Sequence, residues 1–163
     1  MKRILLSIFV CILTIQISCA QVASGTIVTG GFANFSNRIQ NGSSSTTLAI
    51  QPQFGIALAD EFVLGAFFNM NSIKDVSNWT VSPFLRYYFN NFFTQFGYGY
   101  RYSSIYGATS SASIVDVQVG YAAFLNNYIA LEPAIYYNGV FSNKSYSYSD
   151  IGFKIGFQIY FNR

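Results

Sequence analysis

The sequence predicts an all-β fold, an eight-stranded antiparallel up-and-down barrel that spans a membrane, and three observations lead to this prediction. Large apolar residues alternate with small or polar residues along most of the chain, which is the period of a β-strand. Charged residues make up 9% of the chain, against about 25% in an average soluble domain. Short and long polar connections alternate between the strands, which is typical of transmembrane barrels with short periplasmic turns and longer extracellular loops.

The N-terminal segment is predicted to be a signal peptide. The basic pair Lys2-Arg3 precedes an apolar run over 4–15, and small residues lead to a cleavage site between Ala20 and Gln21. The run is shorter than the ~20 residues that a spanning helix needs. The predicted division of the chain is therefore 1–20, a cleaved signal peptide, and 21–163, one barrel domain.

Both cysteines, Cys11 and Cys19, lie within the predicted signal peptide. Cleavage would leave an exported domain without thiols, so disulfides could not stabilise it. A lipoprotein signal acylated at Cys19 is the alternative interpretation. Such signals usually carry Leu three residues before the cysteine, where this sequence has Gln16. Simple cleavage after Ala20 is therefore the preferred interpretation.

The composition excludes several classes of functional site. The chain contains no His, which removes Ser–His–Asp triads, Cys–His pairs and His-based metal sites. A general base that works near neutral pH is hard to supply without His, so we expect no enzymatic activity, no cofactor and no metal. The whole chain has 9 Lys and Arg residues and 6 Asp and Glu residues. Without Lys2 and Arg3 of the predicted signal peptide, 7 basic residues remain beside the 6 acidic ones. We expect no nucleic-acid partner, because no basic patch remains.

Eight strands are predicted from the alternation, and the last is the clearest because Ile and Phe occupy every second position from 151 to 161. The predicted strands are 26–36, 48–58, 62–71, 79–89, 92–102, 115–125, 128–138 and 151–161. The first strand is ambiguous in phase, since its apolar residues do not share one face: Ile27, Val28, Phe32 and Phe35.

The predicted connections differ in length at the two ends of the barrel. The short ones are 59–61, 90–91 and 126–128, and the long polar ones are 37–46, 72–78, 103–113 and 142–150. A hairpin must keep inward residues opposite inward ones, so the length of each short turn predicts which residues pair. The predicted pairs are Phe89–Phe92, Arg86–Gln95, Leu58–Phe62, Gly55–Gly65 and Leu125–Ile129.

Three prolines, Pro52, Pro83 and Pro133, fall inside predicted strands. Proline removes a hydrogen bond from the ladder and normally keeps to edges or bulges. A closed barrel has no edge, so we expect bulges or local breaks at these positions.

Five charged residues occupy the strand phase opposite to the large apolar residues: Arg86, Arg101, Asp116, Glu132 and Lys154. A charge on the lipid-facing surface at mid-depth costs ~2–4 kcal/mol, and no charged residue occupies that phase. Eight strands leave an interior just wide enough for side chains, so we interpret these residues as a network of paired charges that plugs the barrel. A pore lining or an active site is the alternative interpretation.

The predicted register pairs these interior charges. It places Arg101 opposite Asp116, and it brings Arg86 towards Glu132 across the lumen, with Lys154 on a neighbouring strand. Glycines in the inward phase would provide space for Arg, Tyr and Phe side chains. These are Gly55, Gly65, Gly97, Gly99, Gly120, Gly152 and Gly156.

Aromatic residues at strand ends indicate where the barrel would meet the two membrane surfaces. Trp79, Tyr87, Phe89 and Phe92 are interpreted as interfacial girdles rather than as a ligand site. The polar segments 41–45 and 145–149 are interpreted as hydrophilic loop tips, with an adhesive or ligand-binding surface as the alternative.

Three segments resemble a known family. The segments 55–65, 83–89 and 156–161 are similar to the small outer-membrane β-barrel family (porin-like, OmpA-type) of Bacteroidetes. The resemblance implies an eight-stranded barrel inserted by the general outer-membrane assembly machinery. It also implies a C-terminal insertion signal at Gly156, Ile159 and Phe161, although Ile155 replaces the usual polar residue and Asn162-Arg163 follow the aromatic residue.

Three hypotheses for the function follow. The first is a monomeric integral outer-membrane protein with a polar, side-chain-filled lumen, a lipid bilayer around it, and a structural or adhesive role for its exposed loops. The second is a narrow channel for small solutes. The third is a secreted, soluble ligand-binding barrel of the lipocalin type.

Overall fold

The alternating segments form long antiparallel strands that close on one another. The computed structural model describes residues 22–40, 43–73, 76–105, 108–142 and 148–163. The strands are β1 (Ile27–Gln40), β2 (Ser43–Ala59), β3 (Phe62–Ile73), β4 (Val76–Phe89), β5 (Phe92–Ile105), β6 (Ala108–Tyr121), β7 (Ala123–Phe124), β8 (Ile129–Phe141) and β9 (Tyr148–Phe161). The predicted signal peptide 1–20 and its cleavage site at Ala20 and Gln21 lie outside the described residues.

The strands form a closed barrel in which each strand pairs with its neighbours in the chain. β6 and β7 are two parts of one barrel strand, because both pair with β8 in a single register on either side of Ala122. β9 pairs with β1 and closes the barrel. The prediction of an all-β, eight-stranded antiparallel barrel is confirmed. Within the described ranges, no helix is long and apolar enough to cross a membrane.

Burial alternates along the strands as the sequence pattern predicts. In β9 the side chains of Lys154, Gln158 and Tyr160 are buried inside the barrel, whereas Ile151 and Phe153 are 75% and 54% exposed on its outer surface. The structure resolves the phase of β1, because Val28 and Phe32 are buried inside and Ile27 points outward.

Two connections have the predicted register. Phe89 pairs with Phe92 and Arg86 with Gln95 around the turn at Asn90-Asn91. The amide of Leu125 donates to the carbonyl of Ile129 at 2.8 Å. A tight turn allows few alternative registers. The rule that inward residues lie opposite inward residues was therefore enough to predict these pairs.

The β2–β3 turn differs from its prediction by one residue. Gly55 pairs with Gly65 as predicted, but Phe62 pairs with Ala59 rather than with Leu58. A bulge between Ala57 and Ala59 accommodates the extra residue. The turn is therefore only Asp60-Glu61, and Glu61 adopts a left-handed conformation with φ of 66°.

The predicted pairing of Arg101 with Asp116 is wrong. In the β5–β6 ladder, Arg101 lies opposite Ala112, and Asp116 lies opposite Gly97. The prediction assumed that β6 reached the end of the barrel at Leu125, but Tyr121 already lies opposite Phe92. The real register is displaced by four residues from the predicted one. An even displacement leaves every side chain on its predicted face, so the alternation of inward and outward residues could not reveal the error.

The polar segments predicted as long loops are largely strand. β1 extends to Gln40 and β2 begins at Ser43, although 37–46 was predicted as a connection. Ser72 pairs with Ser77 and Ser103 with Ser110 in the other two hairpins. Backbone pairing continues these ladders through segments that are mostly polar, so the apolar alternation ended before the strands did. The predicted loop 142–150 overlaps the start of β9 at Tyr148.

Each of the three prolines lies where one ladder is interrupted, as predicted. The β2–β3 ladder stops at Gln53, next to Pro52. The β4–β5 ladder skips Ser82 and Pro83. The ladder between β6/β7 and β8 skips Glu132 and Pro133, which is where the strand divides into β6 and β7.

Residues that precede β1 close one end of the barrel. We call this end, which carries the turns at 60–61, 90–91 and 125–128, the turn end, and the opposite end the hairpin end. The amide of Glu61 donates to the carbonyl of Val22 at 2.7 Å, and the amide of Ala57 donates to the carbonyl of Thr26 at 2.8 Å. Val22 and Thr26 are completely buried. The segment therefore seals the turn end.

Candidate functional site in the barrel interior

The lumen holds a buried ion pair nearer to the turn end than to the hairpin end. Arg86 on β4 and Glu132 on β8 project into the lumen from opposite walls, and Nη1 of Arg86 lies 2.9 Å from Oε2 of Glu132. Both side chains are fully buried. A buried ion pair needs further hydrogen bonds to offset the loss of hydration.

Two tyrosines and a glutamine supply those hydrogen bonds. Arg86 donates from Nη1 to the hydroxyl of Tyr88 at 2.9 Å and from Nε to Oε1 of Gln95 at 2.8 Å. The hydroxyl of Tyr160 donates to Oε1 of Glu132 at 2.5 Å. The two tyrosine hydroxyls lie 2.9 Å apart, so the five side chains form one connected network.

Aromatic rings surround the guanidinium of Arg86. Its Cζ lies 4.4 Å from the ring centre of Phe93 and 5.6 Å from that of Phe84. The rings of Phe32 and Tyr88 lie 5.8 Å and 5.7 Å away. The lumen therefore combines aromatic rings with its charges, and the ring faces stabilise the cation.

Inward glycines make room for these rings, as predicted. Phe84 pairs with Gly65, Phe93 with Gly120, Tyr136 with Gly152 and Phe32 with Gly156 across neighbouring strands. A Cβ added to any of these glycines would lie between 2.4 and 2.6 Å from its partner's ring or hydroxyl. Each ring therefore occupies space that a side chain at its partner position would need.

Lys154 and Asp116 are the second buried pair of opposite charges, but they do not form an ion pair in the described part of the chain. Nζ of Lys154 donates to Oε1 of Gln51 at 3.5 Å. The same ammonium lies 4.5 Å from the ring centre of Phe32 and 5.2 Å from that of Tyr136. Asp116 accepts a hydrogen bond from Nε2 of Gln118.

The structure brings four of the five predicted interior charges together and leaves the fifth apart. Arg86, Asp116, Glu132 and Lys154 are all buried, with at most 2% exposed surface. Arg101 is half-buried nearer the hairpin end, where its Nε donates to Oγ1 of Thr80 at 3.4 Å.

Sequence reasoning missed most of the partners of these charges. Tyr88 and Tyr160 were not singled out, although each occupies the same phase as a charged residue of its own strand. Gln51, Gln53, Gln95, Gln118 and Gln158 are also inward and buried. These tyrosines and glutamines could have been found from the alternation alone, because they occupy the inward positions of their strands. Every inward position of a narrow barrel contacts the lumen.

The proposed insertion residues lie on β9. Phe161 and Ile159 face outward, and Gly156 faces inward beneath the ring of Phe32. Nothing in these positions distinguishes an insertion signal from an ordinary strand, so that role stays a prediction. The described residues contain no group of three or more side chains that could hold a metal ion.

Comparisons with known proteins find relatives of the fold only. No protein-family model matches the chain. No curated protein matches it either. Among solved structures, the chain is similar to the N-terminal β-barrel domain of OprF from Pseudomonas aeruginosa, with a TM-score of 0.60 and 10% identity over 85% of this chain and 98% of that one. It is also similar to Neisserial surface protein A, with a TM-score of 0.57 and 14% identity over 85% of this chain and 98% of that one. At these identities the likeness is one of architecture.

Proposed function

We propose that this chain is an integral outer-membrane protein whose barrel is filled by side chains and whose exposed hairpins carry a structural or adhesive role. The observation that carries the proposal is the outer surface of the barrel. The outward side chains described on the strands are large and apolar over most of its height, and none of them is charged. A surface of this kind is stable in lipid and prone to aggregation in water.

The height of the apolar surface fits a membrane. From Phe92 to Tyr102 on β5, every outward residue is aromatic except Thr94. Ten residues at a rise of ~3.3 Å and a tilt of about 40° span about 25 Å, the height of the lipid-facing band of outer-membrane barrels. The turn end would face the periplasm and the hairpin end the outside.

Aromatic clusters lie at both ends of this band. Near the turn end, Phe92 stacks on Phe89 at 5.8 Å and meets Tyr121 edge-on at 5.1 Å between ring centres. Near the hairpin end, Trp79 contacts Tyr102 edge-on at 5.9 Å. Aromatic rings favour the boundary between hydrocarbon and water, which supports interpreting these clusters as interfacial girdles.

The interior argues against a conducting channel. The network of Arg86 and Glu132 crosses the lumen, and Phe32, Phe84 and Phe93 pack around it. The segment that contains Val22 closes the turn end below this network. We therefore propose a barrel that conducts little and has no catalytic role.

The soluble ligand-binding alternative would need the opposite arrangement. A lipocalin-type barrel presents polar residues to water and encloses an apolar cavity. Here Phe96 and Val119 are 53% and 52% exposed on the outside, while charges and glutamines occupy the inside. The proposal further places the protein as a monomer in a lipid bilayer, inserted by the outer-membrane assembly machinery after removal of residues 1–20.

Cell fractionation combined with a heat-modifiability gel tests the proposal. When the 163-residue chain is expressed, we expect its product to be recovered in the outer-membrane fraction, with an N-terminus at Gln21. Unboiled protein should migrate faster than boiled protein, because a closed barrel remains compact in the detergent. Recovery in the soluble periplasmic fraction without detergent would overturn the proposal and favour the secreted barrel.

A further inference from the structure

The hairpin of β1 and β2 leaves the barrel wall part of the way up. β1 pairs with β9 only from Ile27 to Asn34, and β2 pairs with β3 only from Ala59 to Gln53. The two strands continue to pair with each other as far as Gln40. Towards the hairpin end, the described ladders therefore connect this hairpin to neither neighbouring strand. Pro52 lies at the point where the β2–β3 ladder stops.

Four buried polar side chains line the inner face of the wall at this level, with the ring of Phe32 among them. Gln51 and Gln53 project inward from β2, and Lys154 and Gln158 project inward from β9. These strands flank β1, where Gly30 pairs with both Gln53 and Gln158. We call these four side chains the β1 polar cluster. Each has at most 6% exposed surface.

Most amide groups of the β1 polar cluster have no hydrogen-bond partner within the described residues. Nε2 of Gln51 and both polar atoms of Gln53 and Gln158 are unpartnered. The ammonium of Lys154 has three donors, and its contact with Oε1 of Gln51 at 3.5 Å uses one of them. Leaving buried donors unpaired is unfavourable, and native proteins rarely do so without a ligand, a water molecule or a functional reason.

The acidic groups of the lumen are engaged elsewhere. Glu132 bonds to Arg86 and Tyr160, and Asp116 accepts from Gln118. Asp150, in the inward phase of β9, is half-buried nearer the hairpin end and pairs with Asn138 in the ladder. The β1 polar cluster thus combines one cation, the unpartnered amide N–H groups of three glutamines, two unpartnered amide oxygens, and no carboxylate bonded to Lys154 within the described residues.

We propose that the β1 polar cluster binds the carboxylate group of an organic acid, with Lys154 as its cation and Gln51, Gln53 and Gln158 as hydrogen-bond donors. A carboxylate has two acceptor oxygens and one negative charge, which matches a single ammonium beside amide donors. A phosphate dianion fits less well, because Asp116 and Glu132 also face this lumen. In this proposal the acid enters past the part of the hairpin that pairs with neither β3 nor β9.

Two sources could supply such a carboxylate: a short acid from water, or a fatty acid from the surrounding bilayer. The experiment uses the full chain folded in uncharged maltoside micelles and two probes, butyrate and oleate, each labelled with carbon-13 at the carboxyl carbon. Binding is measured as a saturable change in the chemical shift of the labelled carboxyl carbon when protein is added. Binding of both probes indicates entry from water, and binding of oleate alone indicates entry from the bilayer.

Variants of the cluster separate carboxylate recognition from adsorption on the apolar outer surface. Lys154→Met should weaken binding by about tenfold or more, because it removes a charge-assisted hydrogen bond, whereas Lys154→Arg should keep it within about threefold. Asp116→Asn should tighten binding, because it removes a negative charge that competes for Lys154. Gln53→Leu keeps every charge and should weaken binding by a smaller factor.

Each variant is first required to show the heat-modifiable mobility of the folded wild type. Loss of binding in Lys154→Met with retention in Lys154→Arg supports the proposal. If Lys154→Met does not fold, the other two variants test the proposal. It requires Gln53→Leu to weaken binding and Asp116→Asn to tighten it, and any other result contradicts it. No saturable binding of either probe to the wild type, or equal binding by wild type and Lys154→Met, would overturn it.

Discussion

The ring of Phe93 packs against the backbone of Gly120, its partner in the β5–β6 ladder, and the guanidinium of Arg86 lies over the same ring, 4.4 Å from its centre. The glycine, the ring and the cation form one contact stack that leads from the barrel wall into the lumen. Because the stack fills the space that a side chain at 120 would need, the ion pair of Arg86 depends on a residue that carries no functional group.

Gly120→Ala should destabilise the barrel by ~1–3 kcal/mol, the usual effect of overpacking. The new Cβ would lie 2.5 Å from the ring of Phe93 and 2.7 Å from the carbonyl oxygen of Pro133, and the backbone contact cannot rotate away. Urea unfolding in micelles measures the change. Gly97→Ala is the control, since the closest atom there is a serine hydroxyl at 3.1 Å, and its effect should be smaller. Equal midpoints for the two variants would contradict this account of the stack.

Glu132→Ala should lower the free energy of unfolding by ~3–5 kcal/mol, because it leaves Arg86 buried without its carboxylate. Asp116→Ala should have a smaller effect, since Asp116 forms no ion pair with a described residue. Both variants should still insert, because the outer surface is unchanged. The same unfolding assay and a membrane-fractionation control check this order of effects. A larger loss for Asp116→Ala would show that the Arg86–Glu132 ion pair is not the dominant interior contact.

Phe96→Arg should destabilise the barrel by ~2–4 kcal/mol, because Phe96 is 53% exposed on the outer surface and lies near the middle of the apolar band Phe92–Tyr102, which the proposed function places in lipid. Ser111→Arg on the neighbouring strand β6 is the control, since Ser111 lies outward near the hairpin end and arginine there can reach water. Its effect should be ~0–1 kcal/mol. Folding into lipid vesicles measures both variants, and wild-type behaviour of Phe96→Arg would mean that this face does not meet lipid.

The wild-type protein should conduct little in planar bilayers, because the Arg86–Glu132 network and the segment at Val22 obstruct the lumen. Glu132→Ala provides a comparison in which part of the obstruction is removed. Large and steady single-channel currents from the wild type would overturn the filled-barrel proposal and support the narrow channel.

The membership of each face was predictable from the sequence. The alternation assigned Arg86, Asp116, Glu132 and Lys154 to the interior, and the structure buries all four. The breaks at Pro52, Pro83 and Pro133 were predictable for an equally local reason, because a residue without an amide hydrogen cannot complete a ladder. Such properties depend on a residue and its immediate neighbours, so they require no knowledge of the rest of the barrel.

The partners of those residues were not predictable in the same way. Asp116 lies opposite Gly97 instead of Arg101, and Tyr160 on β9 joins the ion pair by bonding to Glu132 and to Tyr88 of β4. The sequence by itself determined the fold class, the two faces and the tight turns, because these follow from a period of two. Only the tertiary structure decided the β5–β6 register, because an even displacement of one strand along the other preserves that period. It also decided the contacts across the lumen, because the closure of the barrel sets which inward side chains meet.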